Sequence, residues 1–155
     1  MKVNMKMLLE EDLDWFVEQM QKVRAFSVLS HKELKHVVSQ MRSFHFRAGT
    51  TIVSQGEQAN LFFIVHEGEV EVSVKKFFFG ERQVAVLESG DFFGESALVS
   101  DSKRNATVTA KTDTSCFVLL KPSFNFMLKQ NPLFKQNMKV VFSRRKLQLK
   151  KRLTG

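Results

Sequence analysis

The sequence predicts an α+β fold, in which a β-roll or jelly-roll barrel of about eight antiparallel strands lies between helices at both ends of the chain. Apolar residues recur at helical spacing before residue 43 and again after residue 122, whereas a period of two prevails between them. Glycine-containing turns also interrupt the middle region at short intervals. A parallel sheet would need helices between its strands, so the pattern favours an antiparallel barrel.

Two helices are predicted in residues 1–43. The first has apolar residues at steps of three and four from Leu9 to Val23, with acidic residues early and basic residues late, as the helix dipole favours. The second begins after Ser30, which forms a Ser-x-x-Glu capping box with Glu33, and it should end near Ser43.

Residues 44–120 carry the predicted strands. In residues 69–75 valines alternate with polar side chains, so the valines should face a core and the glutamates water. The three phenylalanines at 77–79 should lie near a hairpin tip, either buried under a helix or forming a partner-binding patch. The strand candidates are 44–47, 50–54, 61–66, 69–75, 83–88, 105–111 and 115–120.

The helical period returns after Pro122. A short helix is predicted around residues 124–128, and Asn131 is suited to cap a longer helix that begins at Pro132 and extends to about residue 153. The whole chain, residues 1–155, is therefore predicted to be one domain. It comprises N-terminal helices (1–43), a β-roll (44–120) and C-terminal helices (122–153).

Composition supports a globular, intracellular protein. A hydrophobic fraction of 43% argues against a disordered chain, and no apolar run approaches the roughly 18 residues that a membrane span needs. The lone Cys116 cannot form an internal disulfide and lies in an apolar run, which predicts a buried, inert thiol. We therefore expect a reducing, cytoplasmic location.

Charge is unevenly distributed along the chain. Residues 121–155 hold ten basic residues and no acidic one, whereas residues 1–120 hold 14 basic and 16 acidic residues. The basic residues share their segment with apolar residues at helical spacing, so a solvated helix face is one interpretation. A docking surface for an acidic partner, nucleic acid or anionic lipid is the other.

An anion site is predicted between residues 90 and 108. Gly94 allows the backbone to turn into a short helical piece, whose N–H groups at 96–98 would converge on an anion such as phosphate. Arg104 would add a planar fork of donors. Glu95 beside a phosphate is unfavourable unless a neutral donor such as a ribose hydroxyl engages it, so the combination indicates a nucleotide.

This segment resembles the phosphate-binding cassette of cyclic-nucleotide-binding domains, which occur in kinase regulatory subunits, gated channels and bacterial activators. The cassette has the pattern Phe-Gly-Glu-x-Ala-Leu, a short loop, then Arg-x-Ala-x-Val, and every fixed position is present. The resemblance extends over about residues 27–153. It implies that Glu95 accepts a hydrogen bond from the ribose 2′-hydroxyl and that Arg104 binds the cyclic phosphate. The nucleotide-binding residues it implies are Phe93, Gly94, Glu95, Ser96, Ala97, Leu98, Arg104, Asn105, Ala106 and Thr107.

The resemblance also implies how the domain works. It should be a regulatory module, not an enzyme, with cAMP or cGMP as its ligand and no metal. The last two helices would act as hinge and lid, with Val141, Phe142 or Leu147 covering the base. The effector would be another protein or a missing domain, with nucleic acid a less favoured partner. The alternative function is a nucleotide-independent basic interaction domain that binds nucleic acid, anionic membrane or an acidic protein through residues 135–153.

Two details qualify the nucleotide and metal predictions. Asn105 occupies a position that is often Ala in cAMP-kinase subunits and Ser or Thr in other family members. Its amide could serve guanine or the phosphate, so cGMP stays open. The resemblance favours cAMP, because cAMP is the commoner ligand in the family. The histidines lack metal-ligand spacing and are predicted to lie at the surface; they are His31, His36, His45 and His66.

Overall fold

A computed structural model of the chain describes residues 3–6, 10–22, 26–58, 60–76, 80–94 and 103–154. In these ranges the helices are α1 (Glu10–Lys22), α2 (His31–Ser39), α3 (Lys121–Gln130) and α4 (Pro132–Thr154). The strands in the same ranges are β1 (Val3–Lys6), β2 (Arg42–Phe46), β3 (Thr51–Val53), β4 (Leu61–Glu67), β5 (Glu69–Lys76), β6 (Gly80–Glu88), β7 (Phe92–Phe93), β8 (Thr107–Ala110) and β9 (Thr114–Leu120).

The strands form two antiparallel sheets. One has the order β1-β2-β9-β4-β7 and the other the order β3-β8-β5-β6. Strands β2 to β9 make the roll, and β1 extends the first sheet by pairing with β2. The predicted α+β architecture, an antiparallel β-roll with helices before and after it, is confirmed.

Strands β4 and β9 are buried on both faces. In β4, Phe62 and Ile64 pack in a cluster formed with the helices, while Phe63 and Val65 pack in the interior of the roll. The same alternation continues in β9, where Cys116 faces the interior. A strand covered on both faces has no polar side to expose, which explains why these segments are uninterrupted apolar runs in the sequence.

Cys116 is fully buried, as predicted. Burial raises the pKa of its thiol to about 12. Because the thiolate is the nucleophilic form, this cysteine stays protonated and unreactive near neutral pH.

Two caps define the helices next to the roll. The Ser30 side chain accepts a hydrogen bond from the Glu33 N–H at 3.1 Å, and the Glu33 carboxylate accepts one from the Ser30 N–H at 3.0 Å. At α4, Asn131 Oδ1 accepts from the Phe134 N–H at 3.0 Å, and Asn131 Nδ2 donates to Glu33 at 3.1 Å. These bonds, the Ser30 backbone first and the Asn131 amide second, hold the pKa of Glu33 below its usual value. Both predicted caps are confirmed, and they also join α2 to the junction of α3 and α4.

The structure differs from the predicted boundaries in several places. Strand β6 begins at Gly80 rather than at residue 83, and β8 begins at Thr107 rather than at residue 105. Residues 3–6 form β1 rather than part of a helical region, because pairing with β2 holds them extended. Helix α2 ends at Ser39 instead of near Ser43, because β2 begins at Arg42 and pairs with β9. Strand β7 was not predicted, since two residues are too few to show a period.

His66 also departs from its predicted position at the surface. It is half-buried, with its ring 4.6 Å from the ring of Trp15 in α1 and stacked 4.6 Å from that of Phe117 in β9. The other three histidines are exposed, as predicted. Leu9, Val23 and the phenylalanines at 77–79 lie outside the described residues.

Val70 and Val74 are buried and Val72 is half-buried, as predicted for the valines of strand β5, whereas Glu69 and Glu71 are half-buried rather than fully exposed to water. Ser73 is buried as well, beside a register shift in the pairing of β5 with β6. Its hydroxyl donates a hydrogen bond to Glu81 at 2.5 Å. In the described part of the chain no helix is both long and apolar enough to cross a membrane.

Candidate functional site

Gly94 follows β7 at the point where the predicted anion-binding loop begins. Its φ of +91° lies in the left-handed region that favours glycine. A Cβ atom at this position would collide with Nη1 of Arg104 and lie 3.0 Å from the Leu61 carbonyl oxygen. The close approach of Arg104 to this backbone therefore requires glycine.

The backbone of Arg104 is held by the turn that follows β3. The Arg104 N–H donates to the Glu57 carbonyl at 2.8 Å, and the Gly56 N–H donates to the Arg104 carbonyl at 2.8 Å. Next to them, the backbones of Lys103 and Gln58 pair in an isolated antiparallel β-bridge. The glycine turn at residues 55–57 thus fixes where the arginine side chain starts.

The guanidinium of Arg104 is then oriented by two backbone carbonyls. Nη2 donates to the Leu61 oxygen at 2.8 Å and Nη1 to the Gly94 oxygen at 3.2 Å. The residue is only 7% exposed. An arginine is rarely buried and stays charged in proteins, so its burial here requires hydrogen-bond partners such as these two carbonyls.

Aromatic rings line the same place from inside the roll. The guanidinium carbon of Arg104 lies 5.9 Å from the centre of the Phe63 ring. Phe63 stacks in turn on Phe93, with ring centres 4.6 Å apart and an interplanar angle of 4°. This apolar wall lowers the local dielectric, so the charge of Arg104 acts more strongly on an anion here than it would in water.

The predicted site residues have different outcomes. Phe93, Gly94 and Arg104 come together as described. Ala106 is buried, Asn105 is exposed, and Thr107 is half-buried with its hydroxyl accepting from the Gln55 N–H at 2.9 Å. The remaining four predicted residues lie outside the described residues; they are Glu95, Ser96, Ala97 and Leu98.

Leu61 and Phe63 both contact the Arg104 side chain but were not predicted as site residues. Leu61 contributes a backbone carbonyl, which every residue possesses, so no side-chain pattern reveals it. Next to it, the Asn60 carbonyl accepts a hydrogen bond from the N–H of Lys121, the first residue of α3, at 2.9 Å. Strand β4, whose Leu61 carbonyl binds the Arg104 side chain, is therefore also attached at its start to the C-terminal helices.

Helix α4 contacts β7, the strand that precedes Gly94, on the side that faces away from the interior of the roll. The guanidinium of Arg145 lies over the ring of Phe92, 4.4 Å from its centre. Val141 packs against the helical cluster, Phe142 is half-buried, and Leu147 is 57% exposed. The three predicted lid residues therefore occupy different environments.

No three His, Cys, Asp or Glu side chains in the described ranges are placed together so that they could hold a metal ion. The fold is a β-roll with a buried arginine, Arg104, at the position where the sequence predicts an anion site. The family model described as "Cyclic nucleotide-binding domain" matches residues 43–131, more than half of the chain. The chain belongs to this family, whose domains are regulatory rather than catalytic.

Curated relatives agree with this assignment. The chain is 35% identical over 109 residues to the cAMP-dependent protein kinase regulatory subunit of Schizosaccharomyces pombe, a match covering 70% of this chain and 26% of that protein. It is 30% identical over 131 residues to the cGMP-dependent protein kinase of Plasmodium berghei, covering 83% of this chain and 15% of that protein. The matched segment is thus about a quarter or less of these relatives.

Solved structures share the fold. Cyclic-AMP-bound PfPKA-R superposes with a TM-score of 0.73 at 30% identity, covering 77% of this chain and 42% of that chain. A cyclic nucleotide-binding domain from Methylobacillus flagellatus superposes with a TM-score of 0.80 at 17% identity, covering 98% of this chain and 88% of that chain. The resemblance predicted from the cassette is confirmed.

Proposed function

We propose that the chain senses cAMP or cGMP, with the cyclic phosphate bound at Gly94 and Arg104 and the signal carried by movement of α4. The observation that supports this most directly is the buried guanidinium of Arg104, oriented by the carbonyls of Leu61 and Gly94. A phosphate at this position adds charge-assisted hydrogen bonds in a site of low dielectric.

The rest of the proposed site follows the resemblance. Glu95 accepts a hydrogen bond from the ribose 2′-hydroxyl, and the backbone at Ser96 and Ala97 contributes to phosphate binding. Gly94 supports the assignment, because its left-handed backbone leads directly into this segment. The other proposed contacts with the nucleotide are Phe93, Leu98, Asn105, Ala106 and Thr107.

In the proposed transmission, the nucleotide binds more tightly when α4 covers the base than when it does not. The population then shifts towards the closed position, and the ratio of the two affinities limits the effect. The bond between Lys121 and Asn60 supports this coupling, because it joins α3 to the strand that holds Arg104. Val141 and Phe142, which are partly buried, suit the base-covering role better than the exposed Leu147.

Calorimetric titration of the full chain with cAMP and with cGMP tests the proposed function. We expect one nucleotide per chain, with cAMP the tighter ligand. Bound nucleotide should also stabilise the fold by about 2.7 kcal/mol at a concentration one hundred times Kd. The linear 5′-AMP is the control, since it lacks the cyclic phosphate. No heat from either cyclic nucleotide, together with an unchanged melting temperature, would refute the proposal.

Asn105→Ala tests whether this residue discriminates between the two nucleotides. Asn105 is exposed beside Arg104, and its amide can pair with the amino group of guanine. Loss of one neutral hydrogen bond should weaken cGMP binding about 3- to 10-fold and leave cAMP binding nearly unchanged. The measurement is the ratio of the two dissociation constants before and after the change. An unchanged ratio would remove Asn105 from any role in discrimination.

A further inference from the structure

Three aliphatic side chains form a line on the exposed side of α4. Leu133, Val140 and Leu147 are seven residues apart, which is close to two helical turns, so they follow one another along the helix at intervals of about 10 Å. Their exposed fractions are 54%, 46% and 57%. Phe134 and Met138 of the same helix lie on a different face and are fully buried in the helical cluster. We refer to the three exposed residues as the aliphatic line.

Basic residues accompany the aliphatic line. Positions four residues apart lie side by side on a helix. Of the three positions four residues after the members of this line, two are basic in the sequence, Arg144 and Lys151, and the third is Asn137. Arg144 is exposed and Asn137 is half-buried. Because residues 121–155 contain ten basic and no acidic residues, the whole helix carries positive charge.

An apolar residue at every second turn, with polar residues between, gives a narrow apolar line along which one helix can pack against another. A coiled-coil seam has two apolar positions in every seven residues, and this line supplies one of them. We propose that α4 docks an acidic amphipathic helix of a partner protein along the aliphatic line. Aliphatic residues of the partner pack against Leu133, Val140 and Leu147, and its carboxylates lie against Arg144 and the neighbouring basic residues. This inference goes beyond nucleotide sensing and does not depend on it.

A second copy of this chain fits the surface poorly. Two α4 helices packed along their aliphatic lines would bring two strongly basic segments together with no acidic residue on either one. Like charges at such an interface are destabilising and select against self-pairing. With an acidic partner the electrostatic interaction becomes favourable, because the basic residues of α4 then attract its carboxylates.

Nucleic acid and lipid explain fewer of the observations. Phosphate contacts require the basic residues but leave three regularly spaced aliphatic side chains without a role. A helix that lies in a membrane surface needs a broad apolar face. In α4 the additional apolar residues Phe134 and Met138 are already buried within the protein.

The test measures binding of a synthetic peptide to the full chain by fluorescence anisotropy at physiological salt. The probe is an amphipathic helical peptide about three heptads long, with leucine at seven-residue intervals and glutamate at the flanking positions. It is made in versions for parallel and antiparallel pairing. A matched peptide carries lysine in place of every glutamate. We expect one glutamate version to bind and the lysine peptides not to bind.

Variants of the chain locate the surface. The double variant Leu133→Gln and Val140→Gln should weaken peptide binding by about tenfold or more, because it removes two apolar contacts. Arg144→Glu should weaken it to a similar extent. Lys135→Glu is the matched control, since Lys135 is exposed on α4 but lies about 200° around the helix from Leu133. It should change the affinity by no more than about twofold at this ionic strength.

Several results would overturn the inference. Binding of the lysine peptide as tightly as the glutamate peptide, or no binding of either glutamate version at about 1 mM, would exclude an acidic helix. Affinity unchanged in the double variant would place the contact elsewhere. A dimer detected by sedimentation and abolished by the double variant would identify a second copy as the partner instead. The chain is also tested for binding to a short DNA duplex and to phosphatidylserine vesicles. If the double variant weakened binding to one of these but not to the glutamate peptide, nucleic acid or membrane would be the partner instead. All measurements are made without nucleotide, so failure of the cAMP and cGMP titrations leaves them interpretable.

Discussion

Replacing Arg104 by alanine is expected to lower the affinity of the chain for its cyclic nucleotide by about 150- to 25,000-fold. The estimate corresponds to two charge-assisted hydrogen bonds to the phosphate, each worth about 1.5–3 kcal/mol. The low dielectric beside Phe63 keeps these bonds strong. Calorimetric titration of the variant and the unaltered chain measures the change.

Two control variants distinguish the guanidinium from general charge. Arg47→Ala removes an exposed arginine and should leave the affinity unchanged. Arg104→Lys keeps the charge, but an ammonium is a point charge and not a planar fork, so it should recover only part of the affinity. Arg104→Ala also removes donors from the carbonyls of Leu61 and Gly94, so a thermal melt must show that the variant is folded. A folded Arg104→Ala chain that binds nucleotide within threefold of the original, a change of about 0.7 kcal/mol, would contradict the site.

Gly94→Ala should be the most damaging substitution at a glycine of the site. It forces a side chain into the left-handed region, which costs about 1–3 kcal/mol, and it places Cβ against Arg104 and the Leu61 carbonyl. Displacement of the guanidinium should reduce nucleotide affinity about 100-fold or more, in addition to lowering the melting temperature. Thermal melts and calorimetric titration together measure the two effects.

Gly49→Ala is a matched control for this substitution. Gly49 has nearly the same backbone angle, with φ of +89°, but a Cβ there would have nothing within 4 Å. It should therefore lose stability from backbone strain alone and retain nucleotide binding. If the two variants lost stability and affinity equally, the close approach of Arg104 to Gly94 would have no special role.

Local patterns predicted those parts of the fold that local physics determines. The capping box at Ser30 and the cap at Asn131 appear in the structure because each is closed by residues three positions apart. Gly94 and Arg104 could be assigned to one site from the sequence alone. Glycine can adopt a backbone angle that other residues avoid, and arginine carries a planar fork of hydrogen-bond donors.

Other features depend on contacts that no local pattern encodes. Residues 3–6 are a strand because β2 offers them a partner. Leu61 contacts Arg104 through its backbone carbonyl, and the identity of its side chain gives no indication of this contact. The alternation in β4 indicates which face His66 lies on, but it does not indicate that α1 brings Trp15 against it.

The position of Trp15 has a practical consequence. The chain has one tryptophan and no tyrosine, so its intrinsic fluorescence comes from this indole, apart from weak emission by phenylalanine. The indole lies edge-on to His66 and to Phe117, with ring centres 4.6 and 5.5 Å away, and therefore senses whether α1 rests on the roll. Release of α1 would expose the indole to water and shift its emission to longer wavelength. The protein thus contains its own optical reporter of α1 docking, which can be followed without attaching a dye.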